Sequence, residues 1–182
     1  MNPKISDFGM AKLFRKDDLE ANTDRIVGTY GYVPPEYVRK GTYSMKYDVY
    51  SFGVLLLQII SGKRSTRYYG PSGNLHLLDF AYQTWEVDQG VEFFDPSLDD
   101  SSSNCKLLKC LQVALLCVQE NPEDRPTMLE IYSMLRDETK AIGTPKRPAF
   151  TEKSGGNVEH TSTSQQASCS ANYLPISEVM PR

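Results

Sequence analysis

The 182-residue chain has no long hydrophobic run. Its longest candidate, residues 52–60, is broken by Gly53 and Gln58 and falls far short of the ~18 apolar residues of a membrane-spanning helix. The opening Met-Asn-Pro-Lys-Ile-Ser-Asp has no apolar core, so no secretory signal is visible. Histidine is scarce, with only His76 and His160, and both lie far from the four cysteines, Cys105, Cys110, Cys117 and Cys169. Those cysteines follow no metal-ligand spacing, which speaks against a zinc site or a disulfide framework. Reduced thiols in a cytosolic compartment are the simpler expectation. Charge of one sign is lacking too: 20 Lys and Arg stand against 23 Asp and Glu, for a net charge of −3. A mildly acidic chain has no bulk electrostatic reason to bind nucleic acid or an anionic membrane.

What is present divides by composition. The apolar fraction, 40%, is somewhat low for a globular chain but too high for full disorder. Residues 1–143 carry nearly all the periodic apolar pattern. Residues 144–182 hold ten Ser or Thr, four prolines and Gly155-Gly156, and are expected to form a disordered tail. No internal repeat is visible. The first forty residues read as loop, with a short strand at 4–6 and with Gly9, Gly28, Gly31, Pro34, Pro35 and Gly41 as punctuation. So long a loop in a compact domain argues for function or disorder.

Four helices are expected next. The first, about 45–60, is apolar nearly all round and reads as buried on every side, with Asp48 near its start. The second, about 74–86, has Asn74 as N-cap and places Leu78, Ala81, Tyr82 and Trp85 on one face. The third, about 104–119, has a stripe of Leu107, Leu108, Leu111, Ala114, Leu115 and Val118, with Cys110 and Cys117 as core thiols beside it. The fourth opens on Thr127-Met128-Leu129-Glu130, a capping box, with Met128, Ile131 and Leu135 inward. The fold class is mainly α, with almost no strand.

Four motifs stand in a fixed order. Asp7-Phe8-Gly9 is followed by Gly28-Thr29-Tyr30-Gly31-Tyr32 and Pro34-Pro35-Glu36, then by Asp48-Val49-Tyr50-Ser51-Phe52-Gly53, and finally by Asn121-Pro122-Glu123-Asp124-Arg125-Pro126. A three-residue match to D-F-G alone is weak, but the order and spacing of all four resemble the C-terminal half of a eukaryotic protein kinase domain. The wording "NPKISDFGMAK", "GTYGYVPPEYV", "YDVYSFGVLLLQIISGKR" and "NPEDRPTM" is similar to the cysteine-rich and lectin-type plant receptor-like serine/threonine kinases. The resemblance covers about residues 1–140, and the ending Ile176-Ser177-Glu178-Val179-Met180-Pro181-Arg182 is also similar to tails of those branches.

The resemblance implies a role for each motif. Asp7 would bind the Mg²⁺ that bridges the phosphates of ATP, and so serve as metal and cofactor ligand. Phe8 would pack under a regulatory helix, and Gly9 would let the backbone pivot. Residues 10–32 would be the activation loop and substrate-docking segment, with Thr23, Thr29 and Tyr30 as candidate hydroxyls. Thr29 would contact a catalytic aspartate, which leaves Thr23 as the better phosphorylation candidate. Glu36 and Arg125 would form a structural ion pair, and Asp48 would accept hydrogen bonds from the catalytic-loop backbone. Pro34 stands where the family motif has Ala.

The chain contains no G-x-G-x-x-G, no V-A-I-K-like strand and no H-R-D. The expectation is therefore a C-lobe-like fragment lacking the N-lobe and catalytic loop, with Met1 an internal methionine of a longer ancestor. It would be catalytically inactive as an isolated chain, with ATP and Mg²⁺ not bound. The alternative is a non-catalytic docking module for full-length relatives or their substrates, to which the acidic stretch Asp17-Asp18-Leu19-Glu20 would contribute. The intact family acts on protein substrates on the cytosolic side of the plasma membrane; the fragment would be cytosolic.

Overall fold

The computed structural model describes residues 3–14, 19–88, 91–98, 104–137 and 139–149. Most of the expected tail, and Asp17, Asp18, His160 and Cys169, lie outside the described residues. The architecture is mainly helical. In chain order the elements are β1 (Glu20–Asn22), α1 (Pro35–Lys40), β2 (Thr42–Ser44), α2 (Met45–Ser61), β3 (Tyr68–Tyr69), β4 (Leu75–His76), α3 (Leu77–Asp88), α4 (Asn104–Cys117) and α5 (Met128–Arg136). Short 3₁₀ turns occupy Val91–Phe93, Pro96–Leu98 and Pro122–Asp124. Two antiparallel pairs, β1 with β2 and β3 with β4, are the only sheets among the described residues.

Helix α2 organises the rest. Ser44 caps its start, its hydroxyl accepting from the Lys46 N–H at 3.1 Å. Gly62 ends it in the left-handed conformation (φ 64°) and donates to Gln58 O at 2.9 Å. Tyr50, Val54, Leu57 and Ile60 point into a core shared with Leu77, Phe80 and Ala81 of α3 and Leu111, Ala114 and Leu115 of α4. A second cluster joins Val49 of α2 to Val113 and Cys117 of α4 and Ile131 of α5. The helix is not buried on every side, however. Leu55 is 45% and Ile59 61% exposed, so one apolar stripe of α2 is uncovered.

Several boundaries differ from the sequence expectation. Residues 4–6 form no strand and are exposed. The Gly and Pro residues near position 35 bracket a short helix instead of a loop: Pro35 opens α1, and Gly41 (φ 66°) closes it by donating to Tyr37 O. Asn74 is not an N-cap, because the β3–β4 hairpin, turned at Gly70 and Gly73, intervenes before Leu77. The Thr127–Glu130 capping box is present, with Thr127 N donating to Glu130 Oε2 at 2.7 Å. The inner face of α5 is narrower than expected. Ile131 is buried and Met134 packs beside it, but Met128 and Leu135 are partly exposed, at 42% and 37%.

The body does not end at 143. Gln119 is buried, and its amide treats the chain at Lys146 as a strand would: Nε2 donates to Lys146 O at 2.8 Å, and Oε1 accepts from Lys146 N at 3.2 Å. Ala149 is buried and donates to Val118 O, while Gln112 Nε2 donates to the carbonyls of Ile142 and Gly143. Residues 144–149 therefore belong to the folded body, although their composition reads as tail.

The three described cysteines differ in environment. Cys105 is exposed, whereas burial raises the Cys110 thiol and pushes Cys117 up to about 12. The thiolate is the reactive form. Iodoacetamide at neutral pH is expected to label Cys105 first and to reach Cys117 only in denaturant, as read by peptide mass spectrometry.

Candidate functional site

The segment from Pro3 to Phe14 lies on the surface. Asp7 adopts a positive φ of 61°, which lets its Oδ1 accept from the Gly9 N–H at 3.3 Å. This is a local turn of the type aspartate favours. Phe8, expected to pack under another element, is 69% exposed. A magnesium ion requires a near-octahedral shell of oxygens. Among the described residues no group of three or more His, Cys, Asp or Glu is arranged to hold a metal ion, and Asp7 stands as one exposed carboxylate. Mg²⁺ beside substrate phosphates is held by one or two carboxylates with water, and among the described residues Asp7 would supply one of these.

The stretch from Glu20 to Val33 is held at defined points. The β1–β2 pairing sets Ala21 opposite Tyr43. Thr23 is half-buried; its hydroxyl accepts from Arg25 N at 3.2 Å, and its own N–H donates to Gly41 O. The Tyr37 hydroxyl accepts from Val27 N at 3.1 Å and donates to Arg25 O. Tyr32 is tied to α2 twice: Ser51 Oγ donates to its carbonyl at 2.9 Å, and its hydroxyl donates to Gln58 Oε1 at 2.7 Å. Between these anchors Thr29 and Tyr30 face solvent, Tyr30 with 76% of its surface exposed. Gly31 (φ 88°) lies flat against Ser65, and a β-carbon there would come within 2.7 Å of Ser65 Oγ.

The most elaborate polar centre joins the end of this segment to the last helices. Arg125 is completely buried, and its guanidinium grips Glu36 with two bonds, Nη1 to Oε1 at 2.7 Å and Nη2 to Oε2 at 2.8 Å. Its remaining donors go to main-chain carbonyls, of Gln119 at 2.8 Å, Glu120 at 3.1 Å and Lys46 at 3.3 Å. The Tyr50 ring lies 5.0 Å from the guanidinium carbon. Lys46 Nζ in turn donates to the Arg125 carbonyl. Every donor is satisfied, which a buried cation requires.

The catalytic-loop backbone expected to bond Asp48 is not in this chain. Asp48 sits exposed on the first turn of α2 and accepts no hydrogen bond from the described residues, while partial desolvation raises its carboxyl above the ordinary aspartate range. The structure thus brings Glu36 and Arg125 together, holds Thr23 near Gly41, and leaves Asp7, Thr29, Tyr30 and Asp48 on open surface. Sequence reasoning missed Tyr37, Ser51, Gln58 and Gln119 as anchors. Gln58 offered a signal, since a polar residue inside an apolar helix asks for a hydrogen-bond partner.

Comparison with known proteins follows the same line. The protein kinase domain family matches residues 1–135. The chain is 46% identical to a G-type lectin S-receptor-like serine/threonine-protein kinase of Arabidopsis thaliana over 97% of this chain and 21% of the relative. It is 47% identical to the receptor-like serine/threonine-protein kinase SD1-7 of the same plant, over 100% of this chain and 22% of the relative. The identity to its cysteine-rich receptor-like protein kinase 4 is 46%, over 100% of this chain and 28% of the relative. The chain therefore spans between a fifth and a third of the length of these relatives. With the family match, the four motifs and the helical architecture in agreement, the chain belongs to the protein kinase domain family, on the branch of the plant receptor-like serine/threonine kinases.

Proposed function

We propose that this polypeptide supplies the D-F-G turn, activation segment and closing helices of a receptor-like serine/threonine kinase, and that the 182-residue chain alone does not transfer phosphate. The observation that carries the second part is the isolation of Asp7. Phosphoryl transfer rests on positioning and on electrostatic stabilisation of a highly charged transition state. Asp7 offers one exposed carboxylate on a surface turn, and the sequence holds neither a Gly-rich loop nor H-R-D. In a longer chain with those parts, ATP and Mg²⁺ would be held with Asp7 as one ligand, and residues 28–32 would meet the protein substrate on the cytosolic side of the plasma membrane. Thr23 is the better candidate for regulatory phosphorylation, with Thr29 and Tyr30 on the docking stretch.

The chain's own residues do the positioning. Glu36 and Arg125 fix the C-terminal end of the activation segment to α2 and to the 3₁₀ turn Pro122–Asp124, while Ser51 and Gln58 hold Tyr32. With labelled ATP, Mg²⁺ and a generic protein substrate, the purified chain and its Asp7→Ala variant are expected to give the same background incorporation. Incorporation well above background that disappears in Asp7→Ala would overturn the proposal.

A second reading, a docking module for full-length kinases or their substrates, draws on Leu55 and Ile59. These neighbours one helical turn apart give α2 an apolar stripe that a further protein layer would cover.

A further inference from the structure

The loop that follows α2 reads Gly62-Lys63-Arg64-Ser65-Thr66-Arg67, a dense run of cations in an acidic chain. Its position is fixed. The Tyr69 hydroxyl accepts from Arg64 N at 2.7 Å and donates to Arg64 O at 2.7 Å, and Arg67 N closes a turn on the Arg64 carbonyl at 3.2 Å. Ser65 is buried under Gly31, which brings this turn directly beside the exposed Thr29 and Tyr30. The three cations are not equivalent. Lys63 Nζ donates to Phe93 O at 3.2 Å, lies over the rings of Phe80 and Phe93, and feels the charges of Asp95 and Glu92. Arg64 and Arg67 are exposed, and neither has an ion-pair partner among the described residues.

We infer that Arg64 and Arg67 form an anion-selecting edge of the substrate-docking stretch, and that the peptide it takes carries Asp or Glu near the residue held at Thr29 and Tyr30. The inference rests on the reading of residues 28–32 as that stretch, and adds the substrate class. A guanidinium is the side chain best suited to carboxylate, because its fork of donors matches the two oxygens. The backbone of Arg64 is held at both its N–H and its C=O, so the turn that carries both arginines is formed before a peptide arrives. A peptide fits better than a membrane. Basic patches that hold anionic lipid use about four to eight Lys or Arg, whereas two are free here, on a chain of net charge −3.

The test is fluorescence anisotropy on the full 182-residue chain with two labelled peptides of equal length, each with a central serine, one flanked by Glu and Asp and the other by Lys and Arg. The acidic peptide is expected to bind at least about tenfold tighter than the basic one, and to weaken as salt is raised. Arg64→Glu/Arg67→Glu is expected to abolish that preference, with Arg64→Gln/Arg67→Gln intermediate and an unchanged melting temperature in both. Equal binding of the two peptides, or a charge-reversed variant within about twofold of the parent, would sink the inference. So would phosphatidylserine vesicles that bind tighter than the acidic peptide with the same dependence on the arginines. Tyr30→Ala separates this inference from the reading beneath it. Loss of acidic-peptide affinity supports both. Retention of affinity with arginine dependence intact keeps the anion edge and overturns the placement of the docking stretch.

Discussion

Replacing Arg125 by methionine is expected to lower stability by about 3–5 kcal/mol, the range for removing one partner of a buried ion pair. Against a typical domain stability of about 5–15 kcal/mol, such a loss removes a large share of the stability and, at the low end of that range, nearly all of it. The cost has two sources. Glu36, only 14% exposed at its side chain, loses its counterion, and the carbonyls of Gln119, Glu120 and Lys46 lose their donor. Glu36→Ala strands the cation instead and is expected to cost less, because those three carbonyls still bind the guanidinium. The exchanged pair, Glu36→Arg with Arg125→Glu, tests the explanation. A simple ion pair would tolerate the exchange. Here a carboxylate at 125 would face three carbonyl oxygens, so the double variant is expected to be no more stable than Arg125→Met. Urea unfolding followed by circular dichroism gives the values for all three variants against the parent. Recovery of parental stability in the exchanged pair would show that the carbonyl cage is unimportant.

This clamp also illustrates what the sequence disclosed. Glu36 and Arg125 lie 89 positions apart, and no periodicity links them; only resemblance to a family paired them in advance. The long helices were legible from composition, because α2 and α4 bury wide apolar faces, and the capping box at Thr127 announced the start of α5. Short elements were not. α1 has six residues, and its Pro35 and Gly41 are the same residue types that mark loops. β3 and β4 have two residues each, too few to show a period of two. The stripe at Leu55 and Ile59 is not distinguished in the pattern, because a hydrophobic pattern reports what a helix is able to bury, not which neighbours are there to bury it. The attachment of 144–149 was hidden for the opposite reason. Apart from buried Ala149, that stretch is held largely by backbone bonds, of Lys146 to the side chain of Gln119 and of Ala149 to Val118 O, and hydropathy does not register such bonds.

Gly53→Ala, a change that helps most helices, is expected to destabilise this one by about 2 kcal/mol or more. Alanine in a helix interior is favoured over glycine by about 1 kcal/mol, and that gain is available here because Gly53 lies within α2. Opposing it is the closeness of α4. A β-carbon at 53 would lie 2.6 Å from Cys117 Cβ, 2.9 Å from Val118 Cγ1 and 3.0 Å from the Ala114 carbonyl oxygen. Two of those atoms are a β-carbon and a backbone oxygen, which no rotamer change can move, so the helices themselves must separate. Separation loosens both hydrophobic clusters at once, since α2 and α4 contribute to each. Overpacking of a tight core costs about 1–3 kcal/mol, occasionally more, and rigid contacts on a helix pair place this case at the upper end, above the propensity gain. The position of the clash can be checked by rescue. Cys117→Ala keeps the offending β-carbon and is expected to restore nothing, whereas Cys117→Gly removes it and is expected to recover part of the loss in the double variant. Gly143→Ala, with no atom within 4 Å of the added carbon, is the control and is expected to stay near zero. A Gly53→Ala protein that melts at or above the parental temperature would mean that α2 and α4 have room to part, and that their close approach does not hold the core together.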